Sequence, residues 1–89
     1  MTTNQDGAFA EVAWEQLDKL ERGSDAGLYN AAVDACELAL NFPEQAQARS
    51  SAVQTATGIV FRLPIAGFPP YKVFWKADGP RIEAIFPHP

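Results

Sequence analysis

Apolar residues recur at helical spacing near the start of the chain, and polar residues fill the positions between them. The apolar positions are Phe9, Val12, Ala13, Leu17 and Leu20. This pattern predicts an amphipathic helix over about residues 8–22. Asp6 is its predicted N-cap, because a carboxylate accepts hydrogen bonds from the free amides of a first turn, and Gly23 is its predicted stop.

A second helix is predicted from Ser24 or Asp25, either of which can cap it, to about Leu40. Its apolar positions form two adjacent stripes, Leu28, Ala32, Ala35 and Ala39, and Tyr29, Val33, Cys36 and Leu40. So wide an apolar face indicates burial on more than one side, and Cys36 is interpreted as a small buried hydrophobe. Pro43 lies just beyond the end, where the residue before a proline is pushed out of the helical region.

The character of the chain changes at Gly58, where alternating β-branched and aromatic residues begin. Three strands are predicted, over residues 59–65, 71–76 and 81–86, and the glycine- and proline-containing segments between them are predicted turns. The preceding segment, 44–57, is polar without a sustained period, and it is predicted to add a helical turn and then a loop.

Two helices followed by three strands predict an α+β fold, in which an N-terminal helical hairpin packs on a three-stranded antiparallel β-sheet. With 89 residues the chain has room for one hydrophobic core, so we expect a single domain over residues 1–89. Within it, residues 1–7 are predicted to be a flexible N-terminus, 8–40 to hold the two helices and 58–87 to hold the sheet.

Composition narrows the class of protein. The single cysteine excludes an internal disulfide framework, and no metal-ligand, catalytic-triad or phosphate-loop spacing is present, so we expect no metal and no cofactor. The first seven residues carry no lysine or arginine and no apolar run follows them, which is unlike a signal peptide. No apolar stretch is long enough to cross a bilayer. The expected location is therefore cytoplasmic, with no membrane partner.

The net charge of −4 divides unevenly along the chain. Residues 1–44 carry nine acidic and two basic side chains, whereas residues 45–89 carry two acidic and five basic ones. The acids are explained as the solvated faces of the helices. The excess of bases leaves open that the β-rich half presents a basic patch to an anionic partner.

Strand parity groups some of these bases with an aromatic residue. On the predicted strand 71–76, Lys72, Phe74 and Lys76 share one face, and the bulky apolar residues between them are expected to pack under the helices. Arg62 and one face of the last strand join them if the register permits. Such a face can bind RNA through charge to phosphates and stacking on bases. The alternative is that the lysines only keep an exposed strand soluble and prevent edge pairing.

Four short motifs, in their order and spacing, carry a resemblance to a known family. Residues 13–20 are similar to a first-helix pattern A-x-x-x-L-x-x-L, and the helix end Asn41-Phe42-Pro43 is similar to L-x-x-N/D-P with one extra residue. Residues 58–63 and 71–75 are similar to the strand pair G-x-x-R-L/I and Y-R-V-x-Y, and His88 after the last strand is similar to an ending H-x. In these features the chain resembles the RelE/ParE-like toxin superfamily, whose members also have a strand ahead of their helices that is not evident in residues 2–7 of this chain.

The resemblance implies a compact toxin of a toxin–antitoxin pair, held inactive by an antitoxin that wraps around it. One branch of the family cleaves messenger RNA in the ribosomal A site, and another poisons DNA gyrase. In the nuclease branch a base activates the ribose 2′-hydroxyl, a cation steadies the phosphate and an acid protonates the leaving 5′-oxygen. By position, Lys72 matches the phosphate-binding arginine, Arg62 the basic residue of the preceding strand, and His88 a C-terminal histidine that serves as general acid.

The predicted catalytic residues are accordingly His88, Lys72 and Arg62, and the predicted substrate-binding residues are Lys76, Phe74 and Arg81. We expect a diverged toxin with weak or no ribosome-dependent endoribonuclease activity, an antitoxin-like protein as partner, and RNA or the ribosome as target. A non-catalytic protein–protein interaction domain, which pairs its sheet or a helix face with another protein, is the alternative.

Overall fold

The computed structural model describes residues 7–88, which form helices followed by one antiparallel sheet. The elements are α1 (Glu11–Arg22), α2 (Ala26–Asn41), α3 (Pro43–Arg49), β1 (Ser51–Thr55), β2 (Gly58–Pro64), β3 (Tyr71–Lys76) and β4 (Arg81–Pro87). The strands lie in the order β1-β2-β3-β4, and each pairs antiparallel with the next. The α+β class and the antiparallel meander are confirmed, but the sheet has four strands rather than three and a third helix precedes it.

The first helix begins at Glu11, three residues later than predicted. Phe9 instead forms a parallel bridge with Ile82, and the Ala10 amide donates to the Ile82 carbonyl at 2.8 Å. Residues 9 and 10, ahead of α1, therefore lie beside β4, at the edge of the sheet. The predicted cap, Asp6, and nearly all of the predicted flexible N-terminus lie outside the described residues. Gly23 ends the helix as predicted.

The second helix confirms the predicted boundaries. Asp25 is its N-cap, and its Oδ1 accepts a hydrogen bond from the Leu28 amide at 3.0 Å. The helix ends at Asn41, and Pro43 then occupies the first turn of α3, where the missing amide hydrogen costs nothing because that amide has no helical partner.

The segment 44–57 contains the predicted helical turn, but the predicted loop after it is wrong. The segment completes α3 and then forms β1, which pairs with β2 from Ser51 opposite Arg62 to Thr55 opposite Gly58. The Thr55 hydroxyl stabilises the tight turn between the two strands, because its oxygen accepts from the Thr57 amide and its hydrogen is donated to the Gly58 carbonyl. Gly58 has φ +120°, a conformation that favours glycine.

One core fills the space between the helices and one face of the sheet. From the helices it takes Ala13, Leu17, Ala32, Ala35, Cys36, Ala39 and Ala46, and from the sheet and the loop after β2 it takes Leu63, Ile65, Val73, Trp75, Ile82 and Ile85. The many alanines let the helix backbones approach the sheet closely. Trp75 is fully buried beneath them, and its indole Nε1 donates to the Ser50 Oγ at 3.2 Å.

A β-bulge in β4 sets which of its residues face the core. Trp75 pairs with Ile82 but Phe74 pairs with Ala84, so Glu83 is an extra residue on this strand. Ile82 and Ile85 are consequently both buried, although three positions separate them. The Gln16 side chain of α1 accepts a hydrogen bond from the Ile85 amide on this edge strand.

Cys36 confirms its interpretation as a buried hydrophobe. Its side chain is 2 % exposed, and burial, with a smaller contribution from the charge of Glu37, raises the thiol pKa from 9.0 to about 12. The thiol is therefore neutral at physiological pH.

Cys36 should make stability fall at alkaline pH. The folded protein retains the thiol proton that the unfolded chain loses above pH 9, so Cys36 contributes full stability below pH 9 and loses it between pH 9 and about pH 12. Urea unfolding of wild type and Cys36→Ala at several pH values measures the contribution, because their difference removes the other titrating groups. The wild type should lose about 1–2 kcal/mol relative to the variant between pH 9 and pH 10.5. Parallel pH profiles would contradict this expectation.

Candidate nucleic-acid interface

The sheet face that points away from the helices, here called the outer face, carries the predicted site residues. Across this face Arg62 lies opposite Phe74, Lys72 opposite Phe86, and Lys76 opposite Arg81. On β3, Lys72, Phe74 and Lys76 alternate with the buried Val73 and Trp75, and their cross-strand partners point to the same side of the sheet. The outer face thus brings together Arg62, Lys72, Phe74, Lys76, Arg81 and, just beyond β4, His88.

Three aromatic rings cluster at the end of the outer face nearest the end of β4. Phe74 and Phe86 meet edge to face, with ring centroids 4.6 Å apart. The His88 imidazole lies edge-on to Phe74 at 5.5 Å and roughly parallel to Phe86 at 6.2 Å. The three residues are only half-buried, and none belongs to the core. They therefore form a separate aromatic cluster on the surface.

Lys72 holds the segment after β4 beside this cluster by a hydrogen bond. Its Nζ donates to the His88 carbonyl, with a longer contact of 3.5 Å to the Pro70 carbonyl. The His88 amide also donates to the Pro70 carbonyl, at 3.0 Å. The His88 Nδ1 is inaccessible to solvent and has no hydrogen-bond partner among the described residues.

The other basic side chains of the outer face contact neutral groups or the half-buried carboxylate of Glu83. The Arg62 Nε donates to the Ser51 Oγ at 3.1 Å, and the Lys76 Nζ donates to the Thr57 Oγ1 at 3.2 Å. Arg81 contacts Glu83 at 3.8 Å. Within residues 7–88, no carboxylate lies within 4.0 Å of Arg62, Lys72 or Lys76 in an ion pair. The positive charges of these three side chains remain available to an anion.

The two sides of the protein differ in charge. The four strands contain four basic side chains and one acidic one, whereas the three helices contain seven acidic and three basic ones. Because the helices cover the inner face, the outer face is positive and the helical side is negative. The acidic and basic halves of the sequence therefore lie on opposite sides of the fold.

This arrangement is suited to binding an anionic polymer with flat bases. Lysine and arginine attract phosphates, and aromatic rings stack on bases. A carboxylate positioned as a general base is not found among the predicted site residues. Glu83, the one acid in the strands, is paired with Arg81. Groups of three or more His, Cys, Asp or Glu side chains that could hold a metal ion do not occur within residues 7–88.

Phe86 is the member of the outer face that sequence reasoning missed. Strict alternation along the last strand places it with Ile82, on the buried side, because the bulge at Glu83 is not visible in the pattern. The available signal is the apolar run of residues 84–86, which breaks the alternation.

A groove lies on the helical side, between α2, α3 and the end of β2. It has a volume of about 520 Å³, and its lining includes the apolar residues Ala35, Leu38 and Leu63 together with Asp34 and Arg49. Two β2 residues line it: Leu63, which is buried in the core, and Pro64 at the end of the strand, which lies opposite Lys72.

None of the helices described here is long and apolar enough to cross a membrane. Comparison with protein-family models finds no match for the chain. The comparisons with curated proteins and with solved structures also give no significant match.

Proposed function

We propose that this chain is a RelE/ParE-like toxin that binds RNA on its outer face and is neutralised by an antitoxin-like protein. The observation that carries the proposal is the grouping of Lys72, Phe74 and His88, with Arg62 across the sheet, on one positively charged surface. Supporting it is the chain ahead of α1, where Phe9 bridges β4, since the family has a strand ahead of its helices.

RNA is favoured as the ligand because the outer face combines two kinds of contact. The basic side chains of the outer face attract phosphates, and this interaction does not depend on the nucleotide sequence. The rings of Phe74 and Phe86 supply stacking surfaces for the nucleobases of a single strand. A lysine-bearing strand whose only role is solubility has no need for half-buried aromatic residues between its charges.

Any cleavage by this face is expected to be weak. Lys72 has the position to steady a phosphate, and the His88 imidazole is a group that can donate a proton to a leaving 5′-oxygen. Activation of the 2′-hydroxyl also needs a base, and Glu83 is engaged by Arg81. The arrangement therefore supports RNA binding better than efficient transesterification.

Induced expression in bacteria tests the proposal. We expect the wild type to slow growth, and the double variant Lys72→Ala with His88→Ala to relieve most of the inhibition, because it removes the cation and the imidazole together. Mapping of messenger RNA 5′ ends in the same cultures shows whether cleavage accompanies the effect. Lys19→Ala is the matched control, because Lys19 is an exposed lysine on α1.

Healthy growth with wild-type protein present at high level would contradict the toxin proposal. Equal inhibition by the wild type and the double variant would contradict the assignment of Lys72 and His88. Circular dichroism of the purified variants shows that any relief is not caused by unfolding.

A non-catalytic interaction domain is the second candidate, and the groove on the helical side favours it. Its lining is apolar, and Asp34 and Arg49 form no ion pair within residues 7–88, so the groove is suited to a protein segment. Normal growth combined with no measurable affinity for RNA would favour this candidate over the toxin.

A further inference from the structure

The His88 imidazole occupies a defined position on the outer face. It lies flat relative to Phe86, with an angle of 30° between the rings, and at 80° to Phe74. An unpaired nucleobase that stacked on Phe86 would take this same position. The ring of a residue beyond β4 therefore covers the aromatic surface that we assign to RNA.

The same segment also engages the nearest cation. The Lys72 Nζ donates to the His88 carbonyl, and the His88 amide donates to the Pro70 carbonyl. Lys72 is thereby held by neutral oxygen atoms, close to the covered rings. A phosphate next to a stacked base has a stronger attraction for the ammonium group than a carbonyl has.

We propose that the His88 imidazole fills a subsite for one unpaired nucleobase. A base of single-stranded RNA displaces the imidazole, and the adjoining phosphate replaces the His88 carbonyl as the hydrogen-bond acceptor of the Lys72 Nζ. This inference rests on the proposed function and adds a specific subsite to it. The RNA must be single-stranded here, because a base within a duplex does not expose its flat surface to Phe86.

The imidazole is a weakly held occupant. Its Nδ1 has no hydrogen-bond partner and no access to water among the described residues, so the ring loses no hydrogen bond at this atom when it leaves and gains hydration. The ring also lies against the rings of Phe74 and Phe86. A purine or pyrimidine ring is larger and stacks over more of the Phe86 surface.

The test measures binding of a labelled RNA strand of eight 2′-O-methyl nucleotides. This strand cannot be cleaved because its 2′-hydroxyls are blocked. His88→Ala should bind about 2- to 10-fold more tightly than the wild type, because one competing aromatic contact is removed while the backbone contacts remain. His88→Trp should bind more weakly, because a larger ring competes better. Fluorescence anisotropy at fixed salt measures both changes.

An abasic strand of the same length is the control for charge. With it, His88→Ala and the wild type should bind equally, because the strand has phosphates but no base to stack. Thermal melts of both variants establish that they are folded.

Each result separates the subsite from the proposed function. If His88→Ala binds the RNA more weakly, or as tightly as the wild type, displacement is wrong while RNA binding stands. If His88→Ala also binds the abasic strand more tightly than the wild type does, His88 covers a phosphate position and the base subsite is wrong. If neither the wild type nor the two variants bind the RNA, the proposed function fails, and the subsite fails with it.

Discussion

Replacing Trp75 with alanine is expected to lower the free energy of unfolding by about 3–5 kcal/mol. Trp75 is fully buried and is the largest of the fully buried side chains. Its ring contacts Phe61 at 5.1 Å between centroids, and its Nε1 donates to the Ser50 Oγ. Small domains are stable by only about 5–15 kcal/mol, so the variant should be close to unfolded at physiological temperature.

Urea unfolding followed by circular dichroism measures this loss. Trp75→Phe is the informative comparison, because it keeps most of the ring but removes the donor to Ser50. The Ser50 hydroxyl still donates to the Ala46 carbonyl at 2.7 Å, so Trp75→Phe should cost about 1–2 kcal/mol. A loss below 1 kcal/mol for Trp75→Ala would show that the core between α3 and the sheet is not packed as described.

Reversing two charges on the outer face should weaken RNA binding by about 10- to 100-fold at low salt. The variant is Lys72→Glu with Lys76→Glu, which replaces two available cations by anions on one strand. The slope of log affinity against log salt should also become shallower, by about 0.7 for each phosphate contact with single-stranded RNA that is lost. Anisotropy titrations over a series of salt concentrations measure both quantities.

A matched control separates position from net charge. Lys19→Glu with Arg22→Glu changes the net charge by the same amount, but both residues are exposed on α1, on the helical side. Its effect on RNA affinity should be several-fold smaller, because attraction between exposed charges is screened over roughly 10 Å at ordinary salt. Equal losses from the two variants would mean that only the overall charge matters and that the outer face is not the binding surface.

Most of the outer face could be predicted from the sequence because β3 alternates strictly. Val73 and Trp75 are fully buried, so the lysines and Phe74 between them must point the other way. Arg62 follows by the same reasoning on β2, since its neighbour Leu63 is buried. Alternation is a local property of extended backbone, and it needs no knowledge of the partner strands.

The direction of the side chains on the last strand could not be predicted by alternation. Strict alternation groups Ile85 with Arg81, whereas the structure buries Ile85 and places Phe86 opposite Lys72. The bulge depends on the register with β3 and on the Gln16 side chain that accepts from the Ile85 amide. These contacts join residues distant in the chain, so no short window of sequence contains them.

The segment 44–57 shows the same limit for secondary structure. Helix α3 has seven residues and β1 has five, too few to establish an apolar period. The helix is stabilised by packing Ala46 into the core, and β1 by its pairing with β2. Both are therefore decided by contacts with the rest of the fold.

Local sequence features are enough to predict the α+β class, the ends of α2, the burial of Cys36 and the common face of Lys72, Phe74 and Lys76. Each of these depends on local chemistry: a capping carboxylate, a proline, or a period of apolar residues. The fourth strand, the bulge in β4, the separation of charge between two sides and the position of His88 against Phe74 and Phe86 are instead set by the folded chain as a whole. The physical reason is that strand register and packing are set by contacts between distant segments, which become defined only when the core closes.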